Sequence, residues 1–444
     1  MKKLLIMLMV FLSFNANAKT EYTKLTLENG MQAYLIEDHR QPIAINMVWY
    51  KAGAADEKPE KAGIAHLLEH LMFKGTDKIP PQEFSKIVAR LGGMDNASTS
   101  QDYTNYYQLI NVKNLGKAMA MEADRMENLK LSEEDFKTER DVVIQERKQR
   151  YDNRPMGRFY EKVMNELYDL SPYKIITIGT IETINNLTRQ DALDWYNSFY
   201  APNNAILTVI GDVTPAEFKI LVEENFGKVK AKAFSHPIWP VEPLYKEPKN
   251  LVVEDNQIKA PTYYKVYRAP SAFAGVAGEA FNQNDIYNLI VLENIIANSK
   301  SSMLYQDLVL DQQIVNGIGA SYSPIGRTES TFDFYLQVKD NMDIKSVEKS
   351  LQASINKFIT EFNDEDKLNA AKTEIKASQI YAKDDAIAYA RSIGQFLSAG
   401  GTVEQFDTFF NGIDHVTIKS LKQTAKRYLQ SDQYMNAWLV PAKK

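Results

Sequence analysis

The sequence predicts an α+β chain built as two similar halves, and three observations carry that reading. At 444 residues the chain is too long for one compact core, so two or more domains are expected. Segments alternating apolar and polar residues with the period of strands are interleaved with segments of helical period. Leu187-Thr188 through Phe199-Tyr200 also matches Val416-Thr417 through Tyr428-Leu429 at a constant offset, each followed by a short apolar run. The second half therefore reads as a degenerate copy of the first.

Composition narrows the class. With 44% apolar and 25% charged residues the chain is of the ordinary water-soluble globular kind. A net charge of −5 argues against nucleic acid as a partner. There is no cysteine, so a bound metal must use His, Asp or Glu.

The N-terminus has the form of an export signal. Lys2-Lys3 supplies a basic start, Leu4 to Phe14 an apolar run too short to span a bilayer, and Ala16-Asn17-Ala18 a small-residue cleavage site. Residues 1–18 are expected to be removed, leaving a periplasmic or secreted protein that starts near Lys19. No later segment is apolar enough for a membrane span.

The elements follow in order. Tyr22 to Asp38 is a hairpin: Leu25 and Leu27 alternate with polar residues, Asn29-Gly30 is a favoured two-residue turn, and Met31, Ala33 and Leu35 alternate on the return. Ile43 to Tyr50 is a β-prone run. A short helix is entered at Gly63 and left at Gly75, and another opens at Pro80-Pro81 and stops at Gly92-Gly93. Asp95 to Ile110, rich in Thr and Tyr, suggests a strand near a sheet edge. Leu115 to about Tyr151 reads as one long charged helical stretch. Leu187 to Val213 gives a helix and then a buried strand, Ile206 to Ile210. Pro237, Pro240, Pro243 and Pro248 mark residues 236–260 as a linker, dividing a first domain (19–235) from a second (261–444). In the second, Asp285 to Asn298 is an apolar helix without histidine, and Thr331 to Val338 alternates cleanly.

The chemistry sits in the first short helix, Gly63 to Gly75. At about 100° per residue, His66 and His70 lie about 40° apart on one face, and Glu69 borders it about 60° to the other side. Leu67, Leu68, Leu71 and Met72 remain to pack the helix down. Two imidazoles on one face make half of a tetrahedral zinc site, and a carboxylate beside them can take a proton from water at the metal. This is the inverted H-x-x-E-H arrangement. The plainer alternative, a pair of core histidines, would bury unpaired polar groups in a Leu-rich helix at several kcal/mol. A third ligand is available downstream. Glu139 and Glu146 are two helical turns apart and face the same way, so one could bind the metal and the other orient a ligand. On a charged helix, paired glutamates are otherwise a solvated face.

Together these residues resemble the pitrilysin/insulinase clan of zinc peptidases, in particular its half-length branch similar to the mitochondrial processing peptidase β subunit. The resemblance covers essentially the whole mature chain. It implies that His66, His70 and Glu146 bind one zinc per chain, that Glu139 is the orienting carboxylate and that Glu69 activates water. It implies a fold of two α/β domains, each an antiparallel sheet flanked by helices, forming one half of a clamshell. Gly92-Gly93-Met94-Asp95-Asn96-Ala97-Ser98-Thr99-Ser100 resembles the family's edge strand, on which the backbone at Asn96, Ala97 and Ser98 would pair with an extended peptide substrate.

One departure is informative. Related active chains carry F-x-x-L-R-x-x-x-x-x-x-Y in the second half, whose Arg and Tyr hold substrate and the developing oxyanion. Here the matching stretch begins Tyr305-Gln306-Asp307-Leu308, with Val309 at the Arg position and Asn316 at the Tyr position. Loss of such a donor costs about 3 kcal/mol of transition-state stabilisation. The expected assembly is a heterodimer whose homologous partner supplies the Arg and Tyr. The sequence thus points to a zinc metalloendopeptidase subunit acting on extended or unfolded peptides. The alternatives are a non-catalytic subunit like the peptidase-derived core proteins of respiratory complexes, and a zinc-buffering protein.

Overall fold

Alternating patterns place the strands in two sheets, seen in a computed structural model that describes residues 21–278, 280–340 and 342–442. The expected export segment, residues 1–18, lies outside the described residues. The first sheet holds β1 (Thr23–Thr26), β2 (Gln32–Glu37), β3 (Ile43–Tyr50), β4 (Met94–Thr99), β5 (Thr104–Asn111) and β6 (Ala205–Gly211), in the order β1-β2-β6-β3-β5-β4. The second holds β7 (Lys249–Asp255), β8 (Thr262–Ala269), β9 (Val315–Tyr322), β10 (Ser330–Val338) and β11 (Tyr434–Pro441), in the order β7-β11-β8-β10-β9. Without β1 the two orders are the same, strand for strand, which is the internal repeat expected from the sequence. Each sheet is antiparallel except for one pair: β2 with β6 and β7 with β11 run parallel.

Helices repeat as well. The histidine helix Ile64–Leu71 lies between β3 and β4, and its histidine-free counterpart Gln283–Ile296 lies between β8 and β9. The pair legible in the sequence, Arg189–Phe199 and Ile418–Leu429, leads into β6 and β11. Each starts at a threonine, Thr188 or Thr417, whose hydroxyl accepts a backbone N–H of the first turn and satisfies an otherwise orphan donor.

Three expectations need correcting. Asp95 to Ile110 holds two antiparallel strands, β4 and β5, rather than one. The stretch from Leu115 to Tyr151 is two helices, Leu115–Asn128 and Glu133–Arg147, followed by a π turn over Lys148–Asp152. Ser132 caps the second one, accepting from the Asp135 N–H ahead of an acidic first turn. The presumed linker is irregular only up to Pro248; from Lys249 the chain forms β7, whose Val253 is buried.

Two helices cross between the halves. Pro155–Leu167, from the first half, lays Phe159, Val163 and Leu167 on the second sheet against Val266, Met435 and Leu439. Ala386–Ser398, from the second half, lays Tyr389, Ile393 and Leu397 on the first sheet against Ile45, Met47 and Trp49. Each sheet therefore has one face covered by its own half and part of the other covered by its neighbour's helix. The approach is tight at Gly394, where an added Cβ would lie 1.9 Å from Trp49 Cε2. Gly394→Ala is expected to destabilise the chain by about 1–3 kcal/mol, as overpacking does; urea unfolding measures it, and an unchanged midpoint would contradict this packing. Among the described residues no helix is long and apolar enough to cross a membrane.

Candidate metal centre

The histidine helix is fixed at its start. Gly63 has φ 96° and sits where an added Cβ would meet the Ile178 carbonyl oxygen at 2.6 Å, so the entry requires glycine. The Glu57 carboxylate caps the first turn, accepting the Gly63 N–H at 2.8 Å and the Ala65 N–H at 2.7 Å. Ile64, Leu67, Leu68 and Leu71 are buried in the first core. That burial aims the polar seam the other way, at the Glu133–Arg147 helix.

There the sequence-distant carboxylates meet the rings. Glu146 Oε2 lies 3.3 Å from His70 Nε2 and 3.7 Å from His66 Nε2, and one donor atom from each of the three residues falls within 4.8 Å of the others. Two metal bonds of zinc length at a tetrahedral angle would hold donor atoms about 3.3–3.4 Å apart. The spacing and the donor set, two imidazole nitrogens and a carboxylate, fit zinc, with positions left for water and substrate. The 3.7 Å His66–Glu146 pair is too long for a hydrogen bond, so hydrogen bonding does not account for the place of His66 in the cluster.

Glu139 stands at the opposite nitrogen of the His70 ring from Glu146. Its Oε2 lies 3.2 Å from His70 Nδ1, and because an ionised carboxylate only accepts, Nδ1 carries a proton and Nε2 is the ring nitrogen that faces Glu146. The buried Lys74 holds the other oxygen of Glu139 at 2.6 Å, and Arg150 pairs with the second oxygen of Glu146 at 2.8 Å. The electrostatics follow. Burial works against charging Glu139, but His70 and Lys74 outweigh it and hold its carboxyl below the usual range. Burial, then the neighbouring His70 ring, push His66 down to about 4, so that ring is neutral at pH 7. Burial also opposes charge on His70, yet the hydrogen bonds its ring donates to Glu139 and Glu146 raise it to about 9, and a divalent cation would displace the Nε2 proton on binding.

Glu69 flanks the cluster. Thr99 Oγ1 donates to its Oε2 at 2.6 Å, tying the histidine helix to β4; burial pushes the Glu69 carboxyl up and the Thr99 bond partly offsets it. Asn96, Ala97 and Ser98 lie on β4, which among the described residues pairs only with β5 and so presents an open edge. Ser98 Oγ donates to Asn105 Oδ1 at 2.8 Å, so its side chain is engaged within the sheet, and Asn96 Oδ1 accepts the Ala97 main-chain N–H at 2.8 Å. Val309 lies partly buried against the second core and Asn316 is exposed on β9.

Sequence reasoning did not find Lys74, Thr99 or Arg150. Lys74 was detectable, standing one turn beyond His70 after an apolar run. Thr99 gave no signal, being one of many hydroxyls in a polar strand.

Two profiles of one family match consecutive parts of the chain: "Insulinase (Peptidase family M16)" over residues 32–181, which includes the whole cluster, and "Peptidase M16 inactive domain" over residues 186–375. The chain belongs to the M16 peptidase family. It is 29% identical over 425 residues to the zinc protease PqqE of Helicobacter pylori, covering 95% of this chain and 93% of that one. It is 23% identical to a probable mitochondrial-processing peptidase subunit beta of Arabidopsis thaliana, covering 91% of this chain and 75% of that one. Among solved structures, a protease from Helicobacter pylori superposes with a TM-score of 0.87 at 28% identity, covering 95% of this chain and all (100%) of that one. The periplasmic protease PqqL of Escherichia coli superposes with a TM-score of 0.78 at 18% identity; 95% of this chain covers 48% of it, so this M16 chain is a half-length member with the fold of one clamshell half.

Proposed function

We propose that the chain is the zinc-binding subunit of a metalloendopeptidase that hydrolyses extended or unfolded peptides. The observation that carries this is the convergence of His66, His70 and Glu146 on one point beside Glu69. His66, His70 and Glu146 would hold the metal, and zinc supplies a Lewis acid that polarises a carbonyl and acidifies water. Glu139, clamped by Lys74, keeps the His70 proton on Nδ1 and so keeps Nε2 available. Glu69, steadied by Thr99, accepts the proton of the attacking water and returns it to the leaving amine nitrogen. The open edge of β4 binds the substrate main chain as an added strand, which reads few side chains and suits broad specificity.

Val309 and Asn316 offer neither cation nor phenol to a developing oxyanion. We propose that a homologous partner supplies both, so that the working enzyme is a heterodimer, and that the chain is exported to the periplasm or secreted. The non-catalytic reading as a core-protein-like subunit requires no metal ligands, whereas here the donor set and Glu69 are intact. Zinc titration of the purified chain, followed by hydrolysis of an unstructured peptide with and without co-purified proteins, tests the reading. About one zinc per chain, and turnover that rises at least about 100-fold when the partner is added, are expected, the size of one or two oxyanion donors. Equal turnover by the chain alone would contradict the heterodimer, and a zinc-loaded complex without turnover would contradict the peptidase.

A further inference from the structure

Arg327 lies in the connection between β9 and β10, the structural counterpart of the connection between β4 and β5. In the folded chain these two hairpin tips meet. Arg327 Nε donates to Asp102 Oδ1 at 3.0 Å and its main-chain N–H to Asp102 Oδ2 at 3.2 Å, while Nη1 and Nη2 grip Asp56 at 3.1 and 2.8 Å. Trp239 covers the guanidinium, 4.0 Å from ring centre to Cζ, and Tyr173 donates to Asp102 at 2.6 Å. The Asp56 side chain is fully buried, with 0% exposure; it accepts the Gly53 N–H at 3.0 Å and has His236 Nδ1 at 3.5 Å, and the arginine is the permanently charged group that faces it.

Both carboxylates lie on elements that lead directly to the proposed chemistry. Asp56 precedes Glu57, the cap of the histidine helix, and its turn is docked on the β4–β5 tip by Ala54 N–H to Ser100 O at 3.0 Å and Ala55 N–H to Gln101 O at 2.9 Å. Asp102 is in that tip, three residues beyond Thr99, which holds Glu69. Adhesion between the halves does not need this arrangement, because the crossing helices already supply apolar contact on both sheets. What one rigid guanidinium adds is a fixed relation between two separate segments.

We propose that Arg327 is a positioning residue: through Asp56 and Asp102 the second half sets the histidine helix and β4 in register, and with them Glu69 against the substrate edge. The kinetic part of this rests on the peptidase reading above; the positional part does not. The test is Arg327→Met in the full chain, together with its partner if one co-purifies, followed by zinc content, site-resolved amide hydrogen exchange, and kcat and KM on an unstructured peptide. Zinc content is expected to be unchanged. Exchange is expected to rise about 10-fold or more in residues 63–66 and 94–103 but not in the second sheet, as for a local opening. The kcat is expected to fall about 10- to 100-fold with little change in KM, as misplaced groups cause. Arg327→Lys, able to reach only one carboxylate at a time, should recover part of both effects. Exchange that rises uniformly over both sheets, or kcat and hairpin exchange that both stay at the parent values, would overturn the proposal. If the zinc-loaded parent chain hydrolyses no peptide even with its partner, the peptidase reading fails; in that case, or with no partner in hand, the exchange pattern alone decides the positional claim. Should Arg327→Met not fold, Asp102→Asn is expected to loosen 94–103 while leaving 63–66 protected; equal loosening of both would overturn it.

Discussion

Glu69→Gln is expected to leave zinc content and unfolding midpoint as they are and to lower peptide hydrolysis by about 10²- to 10⁴-fold, the range for removal of a general base. The amide is nearly isosteric with the acid and can still meet Thr99 Oγ1, the 2.6 Å contact that locates the side chain. It cannot hold a proton between water and the leaving nitrogen. Because Glu69 is not among the three converging donors, the metal should not register the change. A zinc-loaded Glu69→Gln protein that kept a tenth or more of parental turnover would remove Glu69 from the reaction. Loss of zinc along with activity would instead make it a ligand.

Glu146→Gln is expected to have the opposite signature, losing the metal first and activity as a consequence. The substitution removes the anionic donor from a site in which the other two are neutral rings, and leaves Arg150, at 2.8 Å from Glu146 in the parent, as an uncompensated positive neighbour. Glu139→Gln should be milder. It touches only the outer nitrogen of His70, at 3.2 Å, and loses its charge pairing with Lys74, so zinc affinity should fall about 10- to 100-fold, as for other outer partners. Competition against a chromogenic chelator gives both affinities. If Glu139→Gln weakened zinc more than Glu146→Gln, the roles assigned to the two glutamates would be exchanged.

How much of this was legible in the sequence depends on how local the determining physics is. The His66-Glu69-His70 seam is set by the helical period alone, and the Thr188 and Thr417 caps repeat because each helix start needs an acceptor for its free N–H groups. Glu139 and Glu146 were visible as a same-face pair, but which of them faces the metal was implied only by the family resemblance; the structure puts Glu146 nearest both Nε2 atoms. Tertiary choices were not legible. The parallel pairing of β2 with β6 joins strands far apart in the chain, and periodicity carries no partner information. An amphipathic pattern shows that Pro155–Leu167 and Ala386–Ser398 each have a face to bury, not that each buries it on the other half's sheet. The break at Ser132 was present as a capping residue followed by acids, hidden inside a long charged stretch. Arg327 looked like any loop arginine, since its meaning comes from two aspartates more than 200 residues away, at |i−j| of 225 and 271.

The central claim is that His66, His70 and Glu146 hold one zinc, and X-ray absorption at the zinc edge on the purified, singly loaded protein tests it most directly. The predicted result is a first shell of two imidazole nitrogens and oxygen donors at about 2.0–2.1 Å, with one imidazole lost in His70→Ala. A shell without paired imidazoles, or one that His70→Ala leaves unchanged, would place the metal elsewhere and contradict the account.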